Sequence, residues 1–133
     1  MYKRQWQFGR TIPRSDWRGV PDVALDADKS TPYYSFFQGQ WGYDGGTSFA
    51  APNWAALWAL GLQARDGRRV GLPTPYFYLL GNSRYYHEFF FDIISGNNGN
   101  GVGPGYDAKV GWDYTTGWGT PDGAQLVNLF REY

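Results

Sequence analysis

The sequence contains no cysteine, which excludes a disulfide framework and any thiolate metal site. It has one histidine, His87, so a Ser-His-Asp triad would have to use that single ring. There is no net charge, with 12 basic residues against 12 acidic, and therefore no basic excess to hold nucleic acid or an anionic membrane. No apolar run approaches the ~20 residues that span a bilayer, and the N-terminus lacks the short apolar core of a signal peptide. What remains is one domain, or one piece of a domain, of 133 residues.

Glycine, by contrast, is abundant at 19 residues, alongside 8 prolines and 20% aromatic side chains. That mixture of tight turns and large flat side chains suits a loop-rich enzyme better than a helical bundle. The first twenty residues carry Lys3, Arg4, Arg10, Arg14 and Arg18 against Asp16 without a sustained period, and read as a solvated loop. Val20 to Ala27 is a strand candidate in which Val23 and Leu25 alternate with smaller or polar residues, ending at the turn-prone Asp28-Lys29-Ser30.

A Tyr/Phe-rich stretch from Tyr33 to Tyr43 leads into the flexible turn Asp44-Gly45-Gly46. From Thr47 to about Ala64, Trp54, Leu57, Trp58 and Gly61 recur at i, i+3, i+4 and i+7, which lines one face of a helix. The other faces are mostly alanine, so this helix is expected to be buried on nearly all sides. Pro52 is compatible with it in or near the first turn. A helical turn is expected from Tyr76 to Leu80, and a Gly/Asn loop from Ser95 to Gly105. A last helix is expected from Pro121 or Asp122 to Arg131, with Leu126, Val127 and Phe130 on one side.

The string Gly45-Gly46-Thr47-Ser48-Phe49-Ala50-Ala51-Pro52 places a hydroxyl at a helix entrance, where free N–H groups and the helix dipole favour developing negative charge. The alternative is that Thr47 or Ser48 simply caps the helix, a contribution of ~1 kcal/mol. Glu88 stands four residues before Asp92, the one-face helical spacing of a coupled acid pair. Asp92 and Asp113 flank the Gly/Asn loop, where two hard carboxylates and backbone carbonyls can converge in an oxygen-only shell. Acidic residues beside a polar loop are, however, usually just solvated.

These segments, taken together, resemble the sedolisin family of serine-carboxyl peptidases. Gly-Gly-Thr-Ser-Phe-Ala-Ala-Pro is similar to the family's nucleophile motif. Val20 to Asp28 is similar to its upstream strand, and Phe91-Asp92-Ile93 with Gly111-Trp112-Asp113-Tyr114-Thr115-Thr116-Gly117-Trp118-Gly119 to its C-terminal signature. The matches run in order from about Gly19 to Leu129.

The resemblance implies an α/β fold: the C-terminal part of a subtilisin-like parallel-sheet domain, with a buried helix after the serine and a calcium-binding loop. All of residues 1–133 would be a partial peptidase domain. Ser48 would be the nucleophile, and Ca²⁺ would be held by Asp92, Ile93, Lys109, Gly111 and Asp113, Lys109 standing where the family usually has glycine. The family's Ser-Glu-Asp arrangement and oxyanion aspartate lie upstream of the serine and are not in this chain, so the missing N-terminal part of the domain is an implied partner. The implied activity is endopeptidase cleavage of protein or peptide substrates at acidic pH, outside the cell or in an acidic compartment. A non-catalytic calcium-binding module of the same fold is the alternative. His87 matches no catalytic position of the family.

Overall fold

The core is aromatic. Trp112, Trp118, Tyr78 and Phe90 are almost completely enclosed, with Ile12, Phe77 and Tyr86 around them. In the computed structural model, residues 5–13, 16–69, 71–101 and 103–132 are described. Lys3, Arg4 and Arg14 of the basic N-terminal stretch lie outside them.

Eight elements follow in order: β1 (Tyr33–Phe37), β2 (Gln40–Asp44), α1 (Thr47–Ala64), α2 (Pro73–Gly81), α3 (Tyr86–Phe89), β3 (Phe90–Phe91), β4 (Thr120–Pro121) and α4 (Gly123–Glu132). The expected helices are present. α4 starts at Gly123 because Pro121 is paired in β4, and Asp122 caps it by accepting from the Gln125 N–H at 3.0 Å. Leu126 and Phe130 are its buried stripe.

The expected parallel sheet is absent among the described residues, which form two antiparallel pairs, β1 with β2 and β3 with β4. Val20 to Ala27 is not a strand; it is tied by single hydrogen bonds, Ala24 N–H to the Gly119 carbonyl and Trp118 N–H to the Asp22 carbonyl, each 2.9 Å. A parallel strand needs a neighbour delivered by a crossover connection. No such neighbour lies beside this segment among the described residues.

α1 also departs from expectation. Trp54, Leu57, Trp58 and Gly61 do face the rest of the chain: the Trp58 and Phe130 rings meet edge to face at 4.7 Å, and Trp54 packs on Phe77 at 5.1 Å. A Cβ on Gly61 would stand 2.4 Å from the Phe130 ring, so α4 crosses α1 where only glycine leaves room. The opposite face is open, with Ala51, Ala55, Ala56, Ala59 and Leu60 exposed, so the helix is not buried all round. Pro52 sits in the second turn rather than the first, and its missing N–H leaves the Ser48 carbonyl without the usual helical partner.

The N-terminal segment is not simply a solvated loop. Gln7 is fully enclosed, its Nε2 donating to the Gly19 carbonyl and the Tyr78 hydroxyl while its Oε1 accepts from the Gly19 N–H. Ile12 joins the core.

Candidate active site and cation loop

Ser48 is the second residue of α1 and is exposed. The turn before it is built by two glycines. A Cβ on Gly45 would meet the Asp28 carbonyl oxygen at 2.9 Å, and Gly46 has φ 124°, which favours glycine. Gly46 is the N-cap, and no side chain caps the helix. The capping alternative for Thr47 or Ser48 is therefore not realised. The Phe49 and Ala50 amides donate to the Gly46 carbonyl, so the Thr47 and Ser48 amides are the donors the helix start leaves beside the serine hydroxyl, groups of the kind that stabilise an oxyanion.

Phe49, next along, is stacked flat on Tyr33, with ring centroids 5.5 Å apart. The Tyr33 hydroxyl donates to the Asp26 carbonyl at 2.7 Å. The segment from Asp26 to Thr31 thus supports the serine turn from below, folded on itself by the Asp28 and Ser30 amides, which donate to the Asp26 and Asp28 carboxylates. Acceptance from the Ser30 N–H holds the Asp28 carboxyl below its ordinary range. Beside Thr47, an open groove of about 740 Å³ is walled by Val23, Leu25, Ala51, Trp54 and Phe77, nearly all apolar.

The Glu88–Asp92 pair is not formed as a helical pair. α3 stops at Phe89 and β3 intervenes, so Asp92 lies past the end of the helix and faces a different part of the chain. His87 is exposed and lines a separate cleft that does not include Ser48.

Asp92 and Asp113 both turn to the 109–111 segment. Asp92 Oδ2 accepts from the Gly111 N–H at 2.8 Å, and Asp113 Oδ2 from the Lys109 N–H at 2.9 Å. Asp113 is fully buried, and its Oδ1 also accepts from the Thr115 and Thr116 amides and the Thr116 hydroxyl. Asp92 Oδ1 is buried with no donor. The ion pairs of the described residues, Arg18 with Asp22 and Lys29 with Asp44, involve neither carboxylate. Burial, with the neighbouring Asp92 carboxylate adding to it, pushes the Tyr86 phenol well up; its hydroxyl donates to the Trp118 carbonyl at 2.9 Å.

Known proteins bear directly on this geometry. The chain is 42% identical over 114 residues to sedolisin from Pseudomonas sp. (strain 101), covering 86% of this chain and 19% of that protein. It is 39% identical over 129 residues to kumamolisin from Bacillus sp. (strain MN-32), covering 92% and 22%. Its fold superposes on Pseudomonas sedolisin, a serine-carboxyl proteinase solved with two molecules of pseudo-iodotyrostatin, with TM-score 0.84, 37% identity, and coverage of 98% of this chain and 34% of that one. The chain belongs to the sedolisin family. No family model matches it.

This sedolisin-family chain spans about a fifth of the length of the curated relatives it matches. The mixture of helix and strand agrees with the α/β fold of the family. Two thirds of the solved Pseudomonas sedolisin chain has no counterpart in this sequence. Among the described residues, no helix is long and apolar enough to cross a membrane.

The Tyr33–Asp44 hairpin escaped sequence reading. Its signal was Gln38-Gly39, a two-residue connection between aromatic alternations, and both residues have positive φ, 50° and 81°. Gln7 had no signal: a lone polar residue in a basic stretch does not announce that it is a buried hub.

Proposed function

We propose that this chain is the nucleophile-bearing, C-terminal part of a serine-carboxyl endopeptidase acting on proteins or peptides at acidic pH. In the intact enzyme a preceding segment brings the Glu, the Asp and the oxyanion Asp. Ser48 Oγ adds to the scissile carbonyl while its proton passes to a carboxylate of that segment. Collapse expels the amine, which takes up the proton, and leaves an ester on Ser48 that water hydrolyses. The observation that carries this reading is the exposed, uncapped Ser48 at the mouth of α1. The apolar groove beside it and the open alanine face of α1 are where the missing part would dock. A secreted enzyme fits the family likeness.

The residues of the 92–113 loop fit a calcium ion. Two carboxylates without a basic partner, one fully enclosed and one with a buried oxygen lacking any donor, are costly unless a cation joins them. Asp92, Asp113 and the carbonyls of Ile93, Lys109 and Gly111 would hold it, and the ion would supply the charge balance and order that a Gly/Asn loop cannot supply for itself. Only two side chains here are acidic, and no group of three or more metal-binding side chains occurs among the described residues, so the shell would depend on carbonyls. Chelation should lower the melting temperature, and Asp92→Asn should remove that sensitivity. A chelator without effect on the melting temperature would reject the site.

The loop closes on residues of this chain alone, which favours a second reading, a non-catalytic calcium-binding module. Joining the chain to the portion of Pseudomonas sedolisin that precedes its matching region separates the two. At about pH 4, near the ordinary carboxyl range, the fusion should digest a protein substrate, and Ser48→Ala should lower the rate by about 10³-fold or more. A folded fusion no more active than its Ser48→Ala form would leave the structural module.

A further inference from the structure

A second cleft, of about 420 Å³, opens between the N-terminal segment, the end of α2 and the residues leading to Trp112. Arg10, Arg84 and His87 line it, and Tyr86 and Trp118 form part of its wall. No aspartate or glutamate is among its lining residues. In a chain whose charges sum to zero, the two guanidinium groups of Arg10 and Arg84 share one concavity with no acid among its lining residues, while the Asp92 and Asp113 carboxylates lie behind the Tyr86 wall.

The cleft is held open by polar groups already committed elsewhere. Asn82 Nδ2 donates to the Phe8 and Tyr78 carbonyls, Ser83 Oγ to the Leu80 carbonyl, and Thr11 Oγ1 accepts from the Trp112 N–H. These bonds pin three separate stretches of chain around the opening. The basic groups are not neutralised in return: neither ion pair of the described residues involves Arg10 or Arg84, and Arg84 rests on the Tyr85 ring at 4.6 Å while donating to its hydroxyl. Trp118 contributes to the wall but is 2% exposed, and its indole N–H is enclosed in the core rather than presented to the opening. Asp92 is bonded to the Gly111 N–H but does not itself line the opening.

We propose that this cleft binds a small organic anion. Arg10 and Arg84 hold its oxyanion, as guanidinium groups hold carboxylates and phosphates, and the Tyr86 and Trp118 rings bound its apolar body. The volume suits a compact metabolite-sized molecule rather than a peptide. Ser48 takes no part, and the inference stands whether or not the chain contributes to a peptidase.

Calorimetric titration of the full chain at low salt, with inorganic phosphate, succinate and benzoate as separate probes, tests it. At least one should bind saturably, and the probe that does so tells phosphate from carboxylate and shows whether an apolar body adds affinity. Arg10→Gln and Arg84→Gln should each weaken that binding about tenfold, whereas Lys29→Gln, beside the hairpin, should leave it unchanged. In the unaltered chain, the indole N–H resonance of Trp118 should move on saturation while that of Trp54, which donates to the Ala24 carbonyl, stays in place; this readout does not depend on any variant folding. Absence of saturable binding by all three probes, a static Trp118 resonance, or an equal loss in Lys29→Gln would overturn the proposal.

Discussion

The rings around Trp118 and those of the β1–β2 hairpin are alike in chemistry and opposite in burial. Trp118 and Phe90 are 2% and 1% exposed, while Trp41 and Phe36, stacked with Tyr34 and Tyr43 on one hairpin face, are 61% and 59% exposed. The difference lies in what each cluster is offered. α2, α3, β3 and the 112–118 segment converge on one point and enclose each other's rings, whereas the hairpin face of Tyr34, Phe36, Trp41 and Tyr43 stacks only on itself. One cluster is enclosed as a core; the other leaves its rings open to solvent.

The sharpest way to break that contrast is Trp118→Ala, which should cost ~3–5 kcal/mol in urea unfolding. A loss below about 1 kcal/mol would mean that the core is not packed as described. Gly81→Ala probes the same contact from the other side. Its Cβ would fall 2.3 Å from the Trp118 ring, and an overpacking loss of ~1–3 kcal/mol is expected.

The core also predicts an alkaline weakness. Burial raises the Tyr78 and Tyr86 phenols above their ordinary value, so they stay protonated after unfolded tyrosines begin to ionise near pH ~10. The unfolded state then binds fewer protons, and stability falls as pH rises beyond that point. Melting temperatures between pH 9 and 11 should decline, and Tyr86→Phe should flatten the decline. A level profile would contradict the enclosure of both hydroxyls.

The smallest effect belongs to the hairpin. Phe36→Ser with Trp41→Ser should change the chain's own stability by no more than about 0.5 kcal/mol while reducing self-association seen by light scattering. A large loss of stability would show that this face of the hairpin, and not only Tyr33, packs on the remainder of the chain.

Sequence reading reached the elements whose contacts are local or internal to this chain. The α1 face of Trp54, Leu57, Trp58 and Gly61 was visible as a helical period, and Leu126 with Phe130 marked α4, because partners for both lie within these residues. It failed where the described residues supply no partner. The alanines of α1 read as buried because their composition suits a covered face, and Val20 to Ala27 read as a strand because its pattern suits a sheet. Ser48 was legible as a motif. The orphaned Asp92 oxygen and the Arg10–Arg84 cleft were not, since both arise from segments far apart in sequence meeting in space.

The crossing of α4 over Gly61 sets one further condition. With Phe130 lodged against that glycine and against Trp58, the footing of the serine-bearing helix rests on the last turns of the chain. Shortening the Phe130 side chain would loosen the serine's anchorage without touching any atom near it.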